Sequence, residues 1–125
     1  MVINILVVQL GLTDYRETLL LQEKILGLRQ QGRIKVTLLL LEHHPTLTLG
    51  VRASESNIIA EDTFLSKSGV NVYRVKRGGY VTYHGPGQIV GYPILDLKGY
   101  DRDVKKFFWM IEEVFIHLLK DLYKI

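Results

Sequence analysis

Cysteine is absent from the 125 residues. That excludes a disulfide framework, a thiolate zinc site and a cysteine nucleophile within them. A strong charge of either sign is also missing. Sixteen basic against 13 acidic residues give +3, too mild to imply nucleic acid but compatible with an acidic protein partner. Apolar runs such as Leu38–Leu41 fall far short of the roughly 18 residues a spanning helix needs. The Met1–Val8 start lacks a basic lead-in and a small-residue cleavage pattern. The expectation is therefore a cytoplasmic protein that engages neither membrane nor nucleic acid. There are no repeats and no linker. The 47% of apolar residues suit one domain with a core, spanning residues 1–125.

The apolar pattern predicts an α/β (α+β) fold. Val2–Leu10, rich in Val, Ile and Leu and bounded by Gly11, predicts a buried strand. Asp14 and Glu17 form an Asp-x-x-Glu helix start, and the helix runs from Tyr15 to Gln31 before Gly32. Its apolar face is Leu21, Ile25 and Leu28, widened by Leu19, Leu20 and Leu26. Lys35–Glu42 predicts a strand covered on both faces, ended by Pro45. Thr46–Leu49, Asn71–Val75, Tyr80–Tyr83 and Gln88–Leu95 predict further strands, and Val51–Asp62 a loop with a helical turn. A last helix, capped by Asp101 or Asp103, carries an apolar stripe of Val104, Phe107, Phe108, Ile111, Phe115, Leu118, Leu119 and Leu122. No Gly, Asn or Pro stops it before Ile125. That pattern suggests the N-terminal part of something longer.

Four of the 11 glycines, Gly78, Gly79, Gly85 and Gly87, fall within Arg77–Gln88. Glycine permits positive φ and close backbone approach. Two glycine pairs bracketing a short strand suggest a backbone shaped around a ligand. The sparse polar set beside them (a guanidinium, a hydroxyl, two phenols, an imidazole and an amide) suits a carbonyl or carboxyl group held among apolar walls. The competing reading is a β-hairpin with a Gly-Pro-Gly turn and exposed Arg77 and His84. Neither a dinucleotide fingerprint nor a phosphate loop is present.

The stretch Arg77-Gly78-Gly79-Tyr80-Val81-Thr82-Tyr83-His84-Gly85-Pro86-Gly87-Gln88-Ile89-Val90-Gly91-Tyr92-Pro93-Ile94-Leu95-Asp96-Leu97 closely resembles the signature of the octanoyltransferases, also called lipoate-protein ligase B. Leu41-Glu42-His43-His44-Pro45-Thr46-Leu47-Thr48-Leu49-Gly50 resembles the same family's upstream motif. The resemblance implies a mixed β-sheet flanked by helices, similar to the biotin and lipoate protein ligase catalytic domain. It implies transfer of octanoyl from acyl carrier protein to a lysine of a lipoyl domain, in 2-oxoacid dehydrogenases and the glycine-cleavage H protein, with no cofactor. It carries the acyl-pocket role onto Arg77, Gly78, Gly79, Tyr80, Val81, Thr82, Tyr83 and His84, with His43, Gly85 and Gly87 as further pocket candidates. The family's acyl-carrying Cys and partner Lys would lie beyond Ile125, so these residues resemble the N-terminal part of one octanoyltransferase-like domain, C-terminal part missing and inactive alone. No residue here is assigned a catalytic role. Self-association through apolar surfaces left open is a further expectation.

Two other readings stay open. One is a non-catalytic module binding acyl groups or lipoyl domains. The other is part of an ATP-dependent lipoate-protein ligase. His43-His44 lack the clustered partners of a metal site, and no metal is expected. Asp101, Asp103, Glu112 and Glu113 suit capping and solvation. Phe107, Phe108, Trp109 and Phe115 lack the Lys/Arg stripe of a base-stacking platform.

Overall fold

The computed structural model describes residues 3–125 and divides into two compact units, one ending at Ile94 and the other spanning Leu95–Ile125. In the first, the order is β1 (Ile5–Thr13), α1 (Tyr15–Gln30), β2 (Val36–His43), β3 (Thr46–Leu49), α2 (Asp62–Lys67), β4 (Asn71–Arg74), β5 (Val81–His84) and β6 (Val90–Ile94). This is the mixed α/β architecture that the sequence pattern predicts.

The strands form two three-stranded sheets built on one plan. β2 lies between β1, parallel to it, and β6, antiparallel. β3 lies between β4, parallel, and β5, antiparallel. The chain leaves the first sheet for the second at Pro45 and returns at Gly85-Pro86-Gly87. Glu42 Oε2 accepts a 2.7 Å hydrogen bond from the Gly87 amide, tying the two crossings together. The Gly-Pro-Gly segment is therefore no hairpin turn: β5 and β6 belong to different sheets.

The first sheet holds the apolar core. Along β2 the buried positions alternate as Thr37, Leu39, Leu41 and His43, while Leu38 and Leu40 are half-buried. Leu39, Leu41, Ile94 and Ile25 of α1 form one cluster, flanked by Val8, Leu10, Leu21, Ile34, Val90 and Tyr92. Helix α1 starts as predicted, with Asp14 Oδ1 accepting from the Glu17 amide at 3.0 Å. Leu20 and Leu26 are exposed, so its buried face is narrower than the leucine count suggests.

β1 corrects an expectation more sharply. It was predicted to be buried, yet Ile5, Leu6, Val7 and Leu12 are all exposed, because β1 is the outer strand of its sheet. It also runs past Gly11 to Thr13 through a register shift between Gln9 and Gly11. The predicted start at Val2 lies outside the described residues. Helix α2 falls where a loop and then no element were predicted; Leu65 is its buried anchor.

The second unit opens on a short 3₁₀ turn, Leu97–Tyr100, capped by Asp96. Asp103 caps α3 (Val104–Leu118), accepting from the Lys106 amide at 3.1 Å, and a wider π-type turn continues to Tyr123. Of the two predicted caps, Asp103 is the one used. Asp101 instead pairs with the Lys106 ammonium. Phe107 packs edge-on against Tyr100, with centroids 5.4 Å apart. Phe107 and Ile111 are half-buried; the rest of the stripe is exposed. Among the described residues no helix is long and apolar enough to cross a membrane.

Candidate functional site

Side chains directly opposite one another in a ladder share a face. Thr48 pairs with Tyr73 and Thr82, and Thr46 with Asn71 and His84. One face of the second sheet thus carries Thr46, Thr48, Tyr73, Thr82 and His84. The other carries Leu47, Leu49, Val72, Arg74, Val81 and Tyr83.

The polar face is covered by a cluster of rings. Tyr15, at the start of α1, stacks on Tyr73 and on His84 at 5.8 and 5.6 Å, and leans on His43 at 5.0 Å. His43 is fully buried. Its Nδ1 lies 3.4 Å from the Thr13 carbonyl and its Nε2 is 2.8 Å from the Tyr92 hydroxyl. A carbonyl only accepts, so Nδ1 carries the proton and Nε2 accepts from Tyr92. Burial, then the nearby Tyr15, pushes the Tyr92 phenol up to about 12. Burial also raises Tyr15, against the pull of the Arg77 guanidinium. It holds His43 below its ordinary value, opposed by the Thr13 carbonyl and helped by His84. His84 is lowered by burial, with Arg77 adding to the effect and a Gln88 hydrogen bond opposing it. Both imidazoles are thus neutral near pH 7.

Thr48, fully buried on the central strand, is the junction. Its hydroxyl accepts from Arg77 Nη2 at 3.1 Å and lies 3.4 Å from His84 Nε2. Arg77 also donates to the carbonyls of Thr48, Tyr80 and Gly78, at 3.1, 3.3 and 2.7 Å. The Arg77–Tyr80 loop wraps the turn after β3. The amides of Gly50, Val51 and Arg52 donate to the carbonyls of Tyr80, Arg77 and Gly79 at 2.7, 2.8 and 3.2 Å. Only glycine fits at residue 50, because a Cβ there would sit 2.5 Å from the Gly79 carbonyl oxygen. Gly79 has φ +88°, a conformation glycine adopts freely.

The predicted site residues thus divide. Arg77, Gly78, Gly79 and Tyr80 form the loop. Val81, Thr82, Tyr83 and His84 form β5, with Thr82 and His84 on the polar face and Tyr83 on the other. Gly85 is buried beneath the Tyr83 ring, and Gly87 is held by Glu42. His43 meets His84 edge-on, with centroids 5.6 Å apart. A hollow of about 290 Å³ lies beside the second sheet, lined by Leu49, Glu55, Asp62, Val72 and Arg74. None of the Arg77–His84 residues lines it. Sequence reasoning missed Tyr15, Thr48, Tyr73 and Tyr92. Their signal was slight: in Thr46-Leu47-Thr48-Leu49 the alternation does not say which set is buried. Among the described residues no three His, Asp or Glu side chains gather to hold a metal ion.

The chain is thus a mixed α/β fold whose two sheet crossings are tied by Glu42 and Gly87 and whose ring cluster surrounds the buried His43. The lipoyl protein ligase A/B catalytic domain matches residues 14–125, and the chain belongs to that family. It is 58% identical over 112 residues to an octanoyltransferase of Caldicellulosiruptor bescii, covering 90% of this chain and 49% of the relative. An octanoyltransferase of Desulforamulus reducens is 50% identical over 120 residues, 96% of this chain and 53% of the relative. The chain spans about half the length of these curated relatives. The fold is similar to that of a lipoate-protein ligase A solved with bound ATP: TM-score 0.54 and 20% identity, over 82% of this chain and 42% of the other.

Proposed function

We propose that these residues form the acyl-binding part of an octanoyl-[acyl-carrier-protein]:protein N-octanoyltransferase. It moves octanoyl from acyl carrier protein to a lipoyl-domain lysine in lipoate biosynthesis, on 2-oxoacid dehydrogenase subunits or the glycine-cleavage H protein. The observation that carries this reading is the 58% identity to the C. bescii octanoyltransferase. Arg77–His84, with His43, Gly85 and Gly87 beside them, frame the acyl group. The neutral imidazole of His84 acts as a wall and hydrogen-bond partner rather than as a cation.

These residues do not supply the nucleophile. Moving an acyl group from a thioester to an amine through a covalent enzyme needs a thiolate, and the chain has no cysteine. On this reading the thiol, and the ammonium that favours its ionised form, would have to come from other polypeptide. The reading includes self-association through the exposed apolar edge of β1; light scattering that finds only monomer across micromolar concentrations removes that part.

The test is octanoyl transfer from octanoyl-acyl carrier protein to a lipoyl domain. The 125-residue chain alone should give none. Adding a second polypeptide that covers the unmatched half of the C. bescii relative should restore it. Transfer by the chain alone overturns the thiol assignment. Modification that requires ATP and free lipoate assigns the chain to the ligases instead. Saturable binding of a lipoyl domain without transfer in either format points to a binding module.

A further inference from the structure

Between β5 and β6 the chain crosses from one sheet to the other through one tight turn. The Gln88 amide donates to the Gly85 carbonyl at 3.1 Å, closing Gly85-Pro86-Gly87-Gln88 as a β-turn. Gly87 has φ +87°, which with proline before it defines type II. The turn's own hydrogen bond leaves the N–H of its central peptide, that of Gly87, without a partner. The carboxylate of Glu42, half-buried near the end of β2, takes that N–H at 2.7 Å. The bond is charge-assisted, and among the described residues no cation lies within ion-pair distance of Glu42. Glu42 is itself fixed, since its carbonyl accepts from the Thr13 hydroxyl at 3.3 Å. Pro-Gly suits a type I turn as well as a type II, and the two differ by turning the central peptide over. Glu42 decides between them, because the flip would swing the Gly87 N–H off the carboxylate.

The same turn delivers Gln88 to His84, the last residue of β5. His84 Nε2 lies 3.4 Å from the Thr48 hydroxyl. That hydroxyl accepts from Arg77 Nη2, a group that can only donate. Its own proton is therefore available to Nε2, and the neutral His84 ring carries its proton on Nδ1. The Gln88 side chain hydrogen-bonds the ring in the sense that favours the protonated form, so its amide oxygen is the acceptor. With Nε2 accepting, the Nδ1 proton is the one the ring has to give. The Gln88 side chain is exposed, so the turn is what aims it.

We infer that Glu42 is a positioning residue: it holds the Gly85–Gln88 turn in its type II form and, through Gln88, fixes the orientation and the tautomer of His84. A residue at the outgoing sheet crossing thereby sets the geometry of the returning one. The inference rests on the acyl-transfer reading only for its effect on transfer, where the His84 ring serves in one orientation. Glu42 acts through the turn and touches neither the acyl group nor the reacting atoms.

The test uses the full chain labelled with ¹⁵N, at a pH where the imidazoles are neutral. Long-range ¹H–¹⁵N spectra should show His84 protonated on Nδ1. Glu42→Ala should move the Gly87 amide proton upfield and leave His84 as a mixture of both tautomers. Glu42→Gln, whose amide oxygen also accepts the Gly87 N–H, should restore both signals. Gln88→Ala should give the mixture while the Gly87 amide stays in place. His43, whose proton is held by the Thr13 carbonyl, should keep its tautomer throughout. In the two-polypeptide assay Glu42→Ala and Gln88→Ala should lower octanoyl transfer about tenfold, the worth of one lost hydrogen bond, and Glu42→Gln should recover most of it. A Glu42 that merely stabilises the fold would change urea denaturation and leave the tautomer alone. An unchanged His84 tautomer in folded Glu42→Ala overturns the inference, as does one in Gln88→Ala, which decides the matter should Glu42→Ala not fold. Mixed tautomers with transfer unchanged would keep the positioning role and remove His84 from the acyl-transfer reading. Lost transfer with the tautomer intact would do the reverse.

Discussion

The two sheets share one plan, a central strand with a parallel neighbour on one side and an antiparallel neighbour on the other. They bury different chemistry. In the first, Leu39, Leu41 and Ile94 pack on Ile25. In the second, the fully buried positions of β3 are Thr46 and Thr48, set against Tyr73, Thr82 and His84. The change comes within a few residues of Pro45, along one nearly continuous ribbon. Apolar burial stabilises in proportion to area and needs no partner. A buried hydroxyl or imidazole contributes little net stability and costs free energy if left unpaired. The first sheet is thus the source of stability. The second accepts a polar interior, which is consistent with binding a polar head group.

That contrast can be broken by mutation. The largest expected effect is in the first sheet. Leu39, 1% exposed, should cost about 2–5 kcal/mol as Leu39→Ala. Urea denaturation reads the loss, and a cost below 1 kcal/mol would show that the core lies elsewhere. In the second sheet the balance should reverse. Thr48→Val keeps the shape but removes the hydroxyl shared by Arg77 and His84. Stability should fall by only about 1 kcal/mol, while transfer in the two-polypeptide assay should drop about tenfold. Unchanged transfer would make the polar face purely structural.

The smallest effect is that of pH. His43 and His84 both titrate below 6.5 when folded. Between the folded and unfolded pKa values the unfolded chain binds more protons, so stability rises with pH there. It should be complete above about 6.5 and decline as pH falls through the depressed folded values. Denaturation at pH 7.5, 6.5 and 5.5 should show the decline, and His43→Gln should flatten it. A stability that grows on acidification would contradict the buried neutral imidazoles.

The sequence made the elements legible more readily than their partners. The Asp14 cap, the α1 span, the four-leucine strand and the Asp103-capped helix follow from local rules, and the structure has all of them. Pairing does not. Two β-favouring stretches around Gly-Pro-Gly look like a hairpin, and only the distant pairing of β5 with β3 and β6 with β2 reveals a crossing. β1 looked buried because its composition is apolar, but composition does not mark an edge. For the site, the glycines and Arg77 stood out because glycine is informative by itself. Tyr15, Tyr73 and Tyr92 are scattered through the chain, and only the fold brings them to His43 and His84. Thr48 was hidden by an alternation that reads equally well with either set inside.

The central claim is that the segment from Arg77 to His84 receives the acyl group. An octanoyl analogue bearing a diazirine beside its carboxyl end, photolysed with the full chain and mapped by peptide mass spectrometry, tests it directly. Adducts should concentrate on Gly78–His84 and be competed by octanoate. Adducts concentrated instead around Leu49, Val72 and Arg74, in the hollow beside the same sheet, would contradict it.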